Sequence, residues 1–126
     1  MLAEAQNVAR EPTVPAGTRY RIEEHIEAHL TDADLSPGTI AHALGISVRH
    51  AHSVFNVGER TIARYIRDRR IVRIAFTLRT SPSQADLADV AKRFGFSNTE
   101  TMSRAFRSQI GMTPSEYRAG GHRSLG

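Results

Sequence analysis

Apolar positions along this chain recur at helical spacing, and glycines interrupt them. Ile22, Ile26 and Leu30 lie four apart, with Glu23, Glu24 and Glu27 off their face. This predicts a helix from near Arg19 that stops at Thr31-Asp32-Ala33-Asp34. The next segment runs Leu35-Ser36-Pro37-Gly38-Thr39-Ile40-Ala41-His42-Ala43-Leu44-Gly45-Ile46-Ser47. Ser36 suits an N-cap, and Pro37 suits the first helical position, where its missing N–H is no loss. Ile40, Ala41 and Leu44 form an apolar stripe, Gly45 accepts the left-handed conformation that ends a helix, and Ser47 can cap a new one. Helix, glycine turn and capped helix in this order predict a helix-turn-helix.

The pattern returns in Asp86-Leu87-Ala88-Asp89-Val90-Ala91-Lys92-Arg93-Phe94-Gly95-Phe96-Ser97. Ala41, Leu44, Gly45, Ile46 and Ser47 match Ala91, Phe94, Gly95, Phe96 and Ser97, always 50 residues on. A repeat of this length marks two similar supersecondary units. Asp86 with Asp89, and Ser97 with Glu100, are placed for capping boxes. After Ser47 the next helix is expected to run to Gly58, and after Ser97 to Gly111. Thr113-Pro114-Ser115-Glu116 then combines a cap, a proline and a capping-box glutamate. Its counterpart starts near Thr61 and is longer. Ile62, Tyr65, Ile66, Ile71, Ile74, Ala75 and Leu78 keep helical spacing to about Thr80, which predicts a connecting helix spanning roughly 25 Å.

The expected fold is therefore all-α, with seven helices in two tandem helix-turn-helix subdomains. Residues 19–60 and 81–118 form the subdomains, and 61–80 the long linker helix between them. Residues 1–18, with Pro12, Pro15 and Gly17, read as an interdomain linker, and 119–126 as a frayed tail. No segment alternates with period two between turn signals, so no strand is expected.

Composition narrows the chemistry. The chain has 126 residues, of which 40% are hydrophobic, enough to build a core. It has no cysteine, which removes disulfides, zinc-thiolate sites and cysteine nucleophiles. It carries no apolar run of membrane-spanning length and no leader-like N-terminus, so a cytoplasmic protein is expected. Its formal charge is +4, and Lys92 is the single lysine among 17 basic residues. Arginine suits bidentate contact with phosphates and guanine edges. A codon bias toward arginine would give the same composition.

A helix-turn-helix places its second helix in the DNA major groove. The first such helix, about Val48 to Val57, is expected to bury Ala51, Val54 and Phe55. That leaves Val48, Arg49, His52, Ser53 and Asn56 outward. The second, about Asn98 to Ile110, is expected to bury Met102, Ala105, Phe106 and Ile110. That leaves Thr99, Glu100, Ser103, Arg104 and Arg107 outward. Arginine can take guanine O6 and N7 together, glutamate can accept from cytosine N4, and serine or threonine can serve several bases. A plain solvated face would look similar on one helix; two such faces in tandem favour DNA. Held roughly 34 Å apart, they would enter consecutive major-groove turns. His50, Asn98, Thr39 and Thr113 join Val48, Asn56 and Arg107 as supporting or phosphate-contacting positions, Thr39 and Thr113 through helix N-termini. Arg64, Arg67, Arg69, Arg70 and Arg73 read mainly as the solvated side of the linker helix.

These residues resemble the AraC/XylS family of bacterial transcription regulators. The resemblance is carried by Ala91-Lys92-Arg93-Phe94-Gly95-Phe96-Ser97, Phe106 and Gly111-Met112-Thr113-Pro114-Ser115-Glu116-Tyr117-Arg118. In the linker helix it is carried by Tyr65-Ile66, Arg69-Arg70-Ile71 and Ala75. It covers about residues 19 to 118. It implies base contacts from Arg49, His52 and Ser53 in the first unit and from Thr99, Glu100, Ser103 and Arg104 in the second. It also implies activation through RNA polymerase, and an effector or dimerisation domain that lies outside this chain. Met102 stands where the family commonly has an aromatic, and His50 and His52 are unusual in the first reading helix.

Two rival readings are weaker. His25 and His29 have a spacing that can hold zinc, but the zincin order and further ligands are missing, so no metal or cofactor is expected. A helix-turn-helix that binds only protein would present an apolar face, and these faces are polar and basic. No motif supports catalysis, so an enzyme is not expected.

Overall fold

The computed structural model describes residues 16–55, 61–80 and 86–121. Among these it has seven helices and no strand: α1 (Ala16–Ala28), α2 (Pro37–Leu44), α3 (Val48–Phe55), α4 (Ile62–Thr80), α5 (Leu87–Arg93), α6 (Thr99–Ile110) and α7 (Pro114–Arg118). The expected order and number of helices are observed. Helix α1 begins at Ala16, ahead of the Arg19 start read from periodicity.

The chain divides into two compact units. The first comprises the described residues up to His29 together with Leu35–Tyr65. In it, α1 packs on α2 and α3, and these two pack on each other. Ile22, Ile26, Ile40, Phe55 and Ile62 are fully buried, with Ala51 and Val54 beside them. Of the stripes foreseen, Ile22 and Ile26 of α1, Ile40 and Ala41 of α2, and Ala51, Val54 and Phe55 of α3 face inward; Leu44 is only partly buried, and Leu30 lies beyond the end of α1 and belongs to the second unit. Burying side chains of this size stabilises by about 1.5–3 kcal/mol each, which offsets the entropy of ordering such short helices.

The second unit comprises Leu30–Asp34 and the residues from Ile66 on. Its core joins Ile71, Ile74, Ala75 and Leu78 of α4 to Val90, Ala91, Phe94, Met102, Phe106 and Tyr117. Leu87, Phe96, Ala105, Ile110 and Met112 pack against it while partly exposed. Ala105 and Ile110 were expected to be buried; both keep some solvent contact. No buried polar or charged residue occurs among the described residues of either unit.

An aromatic pair closes each core. The Phe55 and Tyr65 rings meet edge to face at 5.2 Å, and the Phe106 and Tyr117 rings do so at 5.4 Å. The first pair joins α3 to α4 and the second joins α6 to α7, and edge-to-face packing adds about 0.5–1.5 kcal/mol beyond burial.

Candidate nucleic-acid interface

Each helix-turn-helix is built from a stop, a turn and a cap. In the first, Ser36 caps α2: its hydroxyl accepts from Thr39 N–H at 3.2 Å, and its own N–H donates to Thr39 Oγ1 at 3.0 Å. Pro37 follows as the first helical residue. The helix stops at Gly45, whose φ of 72° is left-handed. Gly45 N–H donates to His42 O at 3.2 Å, and Ile46 N–H donates to Ala41 O at 3.0 Å. These two bonds satisfy carbonyls that the ending helix would otherwise orphan.

The second unit repeats the turn bond for bond. Gly95 has a φ of 81°, its N–H donates to Lys92 O at 3.1 Å, and Phe96 N–H donates to Ala91 O at 2.9 Å. Every partner lies 50 residues beyond its counterpart, as the sequence repeat requires.

The register then changes. In the first unit, Ser47 Oγ accepts from His50 N–H at 2.9 Å and caps α3 as expected. The equivalent Ser97 does not cap α6. Asn98 does, with Oδ1 accepting from Thr101 N–H at 2.8 Å. The Ser97–Glu100 capping box is therefore corrected to an Asn98 cap. The reason lies in packing. Ala51, Val54 and Phe55 of α3 correspond to Met102, Ala105 and Phe106 of α6, an offset of 51, and burial of Met102 and Phe106 fixes where the helix must begin. Asparagine caps at least as well as serine, so the extra turn residue costs little. Asp86 is also corrected: it caps α5 through Ala88 N–H at 3.0 Å, one residue short of the box expected with Asp89.

The outward positions take the same offset. Val48, Arg49, His52 and Ser53 of α3 pair with Thr99, Glu100, Ser103 and Arg104 of α6. Val48, Arg49, Ser53, Glu100, Arg104 and Arg107 are exposed, while His50, His52, Thr99 and Ser103 are half-buried. Asn56, predicted with the first set, lies outside the described residues. Ala51, Val54 and Phe55 behind α3, and Met102 and Phe106 behind α6, are buried, so each helix is anchored on one side and open on the other.

Thr39 and Thr113 sit at helix starts rather than on reading helices. Thr39 is held in the Ser36 box. Thr113 Oγ1 accepts from Glu116 N–H at 3.1 Å, and Thr113 N–H donates to Glu116 Oε1 at 2.9 Å. That second bond, first among several causes, holds the Glu116 carboxyl below the usual glutamate range. His25 and His29 stack with ring centroids 4.0 Å apart, and His29 Nδ1 lies 2.8 Å from His25 O. No group of three or more potential metal ligands occurs among the described residues.

One residue read from sequence as helix surface has a more specific place. Arg70 is half-buried, donating from Nε to Leu30 O at 3.0 Å and from Nη2 to Asp32 O at 2.7 Å. Its partners lie 40 and 38 residues away. No periodic signal could have found it.

A helix-turn-helix domain profile matches residues 40–120. The chain is 36% identical over 98 residues to the regulatory protein SoxS of Escherichia coli K12, spanning 77% of this chain and 85% of SoxS. It is 35% identical over 98 residues to the transcriptional activator NphR of a Rhodococcus species, spanning 78% of this chain but only 29% of NphR. Among solved structures, the DNA-binding domain of AdpA, determined with a target DNA, superposes with a TM-score of 0.72 at 23% identity, over 86% of this chain and 97% of that one.

Proposed function

The chain belongs to the AraC/XylS-type helix-turn-helix family, and from this premise we propose that it binds a specific DNA sequence and regulates transcription, as an activator. The observation that carries this reading is the twofold recurrence of one device. A Schellman turn at Gly45 and at Gly95 presents a short helix with an anchored apolar side and an open polar side. Such a helix fits the major groove, where its N-terminal residues meet base edges.

In this reading, α3 offers Arg49, His52 and Ser53 to bases, and α6 offers Thr99, Glu100, Ser103 and Arg104. Arg49 and Arg104 would each take a guanine through O6 and N7, and Glu100 would accept from a cytosine amino group. Val48, His50, Asn56, Asn98 and Arg107 support these contacts or meet phosphates, as do the helix starts at Thr39 and Thr113. Asn98 spends its carbonyl oxygen on the cap, so its amide nitrogen is the group left to donate. The two helices would read consecutive turns of the groove. Activation would proceed by contact with RNA polymerase, in the cytoplasm. An effector or dimerisation domain outside this chain would supply regulation.

Selection of bound sequences from a random duplex pool tests this. The expected result is a bipartite motif with two short elements about one helical turn apart, bound with an affinity that falls steeply with salt. A pool that yields no enriched sequence, or binding indifferent to salt, would overturn the reading.

A further inference from the structure

Arg70 lies on α4 and on neither candidate reading helix, yet it lies against the turn that precedes α6. A β-carbon built on Gly95 would lie 3.0 Å from its Nη1, 3.1 Å from its Cζ and 3.2 Å from its Nη2. The same test at Gly45 meets nothing within 4 Å. The two turns are alike in φ and in hydrogen bonding but differ in this: one has open space beside its glycine, and the other has a guanidinium laid against it. The same guanidinium holds the carbonyls of Leu30 and Asp32. All of these residues belong to the second unit.

We propose that Arg70 is a positioning residue for DNA recognition by the second unit: its guanidinium clamps the 30–34 segment against the Gly95 turn and so steadies the turn that leads into α6, whose register the burial of Met102 and Phe106 sets. This rests on the DNA-reading function proposed above and assigns Arg70 a role in it. Gly95 is four residues before Thr99, the first residue of α6, and the reading positions Thr99 and Glu100 follow directly. Between them the chain has one more residue than the first unit has, so this turn is the less constrained of the two by its own length. An external brace supplies what the shorter turn achieves alone. Arginine suits the task because its planar fork donates in two directions while its face packs flat on a glycine. Burial pulls its pKa down and the nearby Asp32 carboxylate opposes that pull. The guanidinium remains charged under any ordinary condition.

The test uses the full chain and three duplexes taken from the selected site: the intact bipartite site, one with the element read by α3 scrambled, and one with the element read by α6 scrambled. Arg70→Met keeps an apolar stem and removes the fork. It is expected to lose about ten- to a hundredfold affinity for the intact site, the scale of one lost charged hydrogen bond. It is also expected to bind the duplex lacking the α6 element as the unmodified chain does. Arg70→Lys keeps one charged donor and should fall between the two. A role confined to general stability would instead weaken all three duplexes in proportion to the fall in melting temperature. Unchanged affinity for the intact site, or an equal loss on both scrambled duplexes, would overturn the proposal. If Arg70→Met does not fold, Arg70→Gln, which keeps a neutral donor, carries the same comparison. An unmodified chain that fails to discriminate among the three duplexes would sink the DNA-reading function itself, a result distinct from any behaviour of the variants.

Discussion

The two helix-turn-helix units reach one geometry by different local chemistry. The first opens on a serine–threonine capping box and a proline; the second opens on Asp86 alone. The first stops at a glycine with open space around it; the second stops at a glycine pressed by Arg70. The first caps its reading helix from Ser47, and the second from Asn98, one residue later than the repeat predicts. What both share is the pair of turn hydrogen bonds and an aromatic pair sealing the core. The difference teaches that the turn and the core are the fixed parts of the device. Caps and the surroundings of the glycine differ between the units, while the turn bonds recur.

The comparison breaks most readily at the core. Phe55→Ala and Phe106→Ala each empty a fully buried site and should cost about 3–5 kcal/mol in denaturant unfolding. If one of them costs under 1 kcal/mol, the two cores are not equivalent. Arg104→Ala and Arg49→Ala should each weaken specific binding by about 1–3 kcal/mol and relax preference at a single position, in opposite elements of the site. Uniform weakening across all sequences would reassign that arginine to the phosphates.

The turns separate next. Gly45→Ala meets only left-handed strain, about 1–2 kcal/mol. Gly95→Ala meets similar strain and must also push Arg70 aside, so it should be the more destabilising of the pair in thermal unfolding. Equal values would remove the brace as a structural contact. For the caps, Asn98→Ala should cost about 1 kcal/mol and Ser97→Ala less than about 0.5 kcal/mol. The reverse order would restore the cap to the position that the repeat gives it.

The smallest effect concerns acid. Glu116 has its carboxyl lowered by the bond from Thr113 N–H. A depressed carboxyl contributes stability above its unfolded-state pKa and loses it as pH falls through the folded-state value. Stability should therefore decline slightly more steeply below the ordinary glutamate range in the parent chain than in Glu116→Gln. Superimposable pH profiles would show that the Thr113 box has no electrostatic share in stability.

Local chemistry alone determined much of this protein. Ser36-Pro37, Gly45, Ser47, Gly95 and Thr113-Pro114-Ser115-Glu116 are each legible because a cap, a proline or a positive-φ glycine acts within four residues of itself in the chain. The apolar stripes of α1 to α4 are legible because a helix repeats every 3.6 residues. The outward faces of α3 and α6 follow from the same period, so the candidate reading residues are legible in the sequence. Tertiary structure decided what periodicity leaves degenerate. Ser97 and Asn98 are adjacent and both good caps, and only the burial of Met102 and Phe106 chose between them. Arg70 is one arginine among several on α4, and only the return of the 30–34 segment and of Gly95, distant in sequence, gave it partners. Contacts between residues far apart along the chain leave no period to read, which is why the brace on the second turn appears only in the folded molecule.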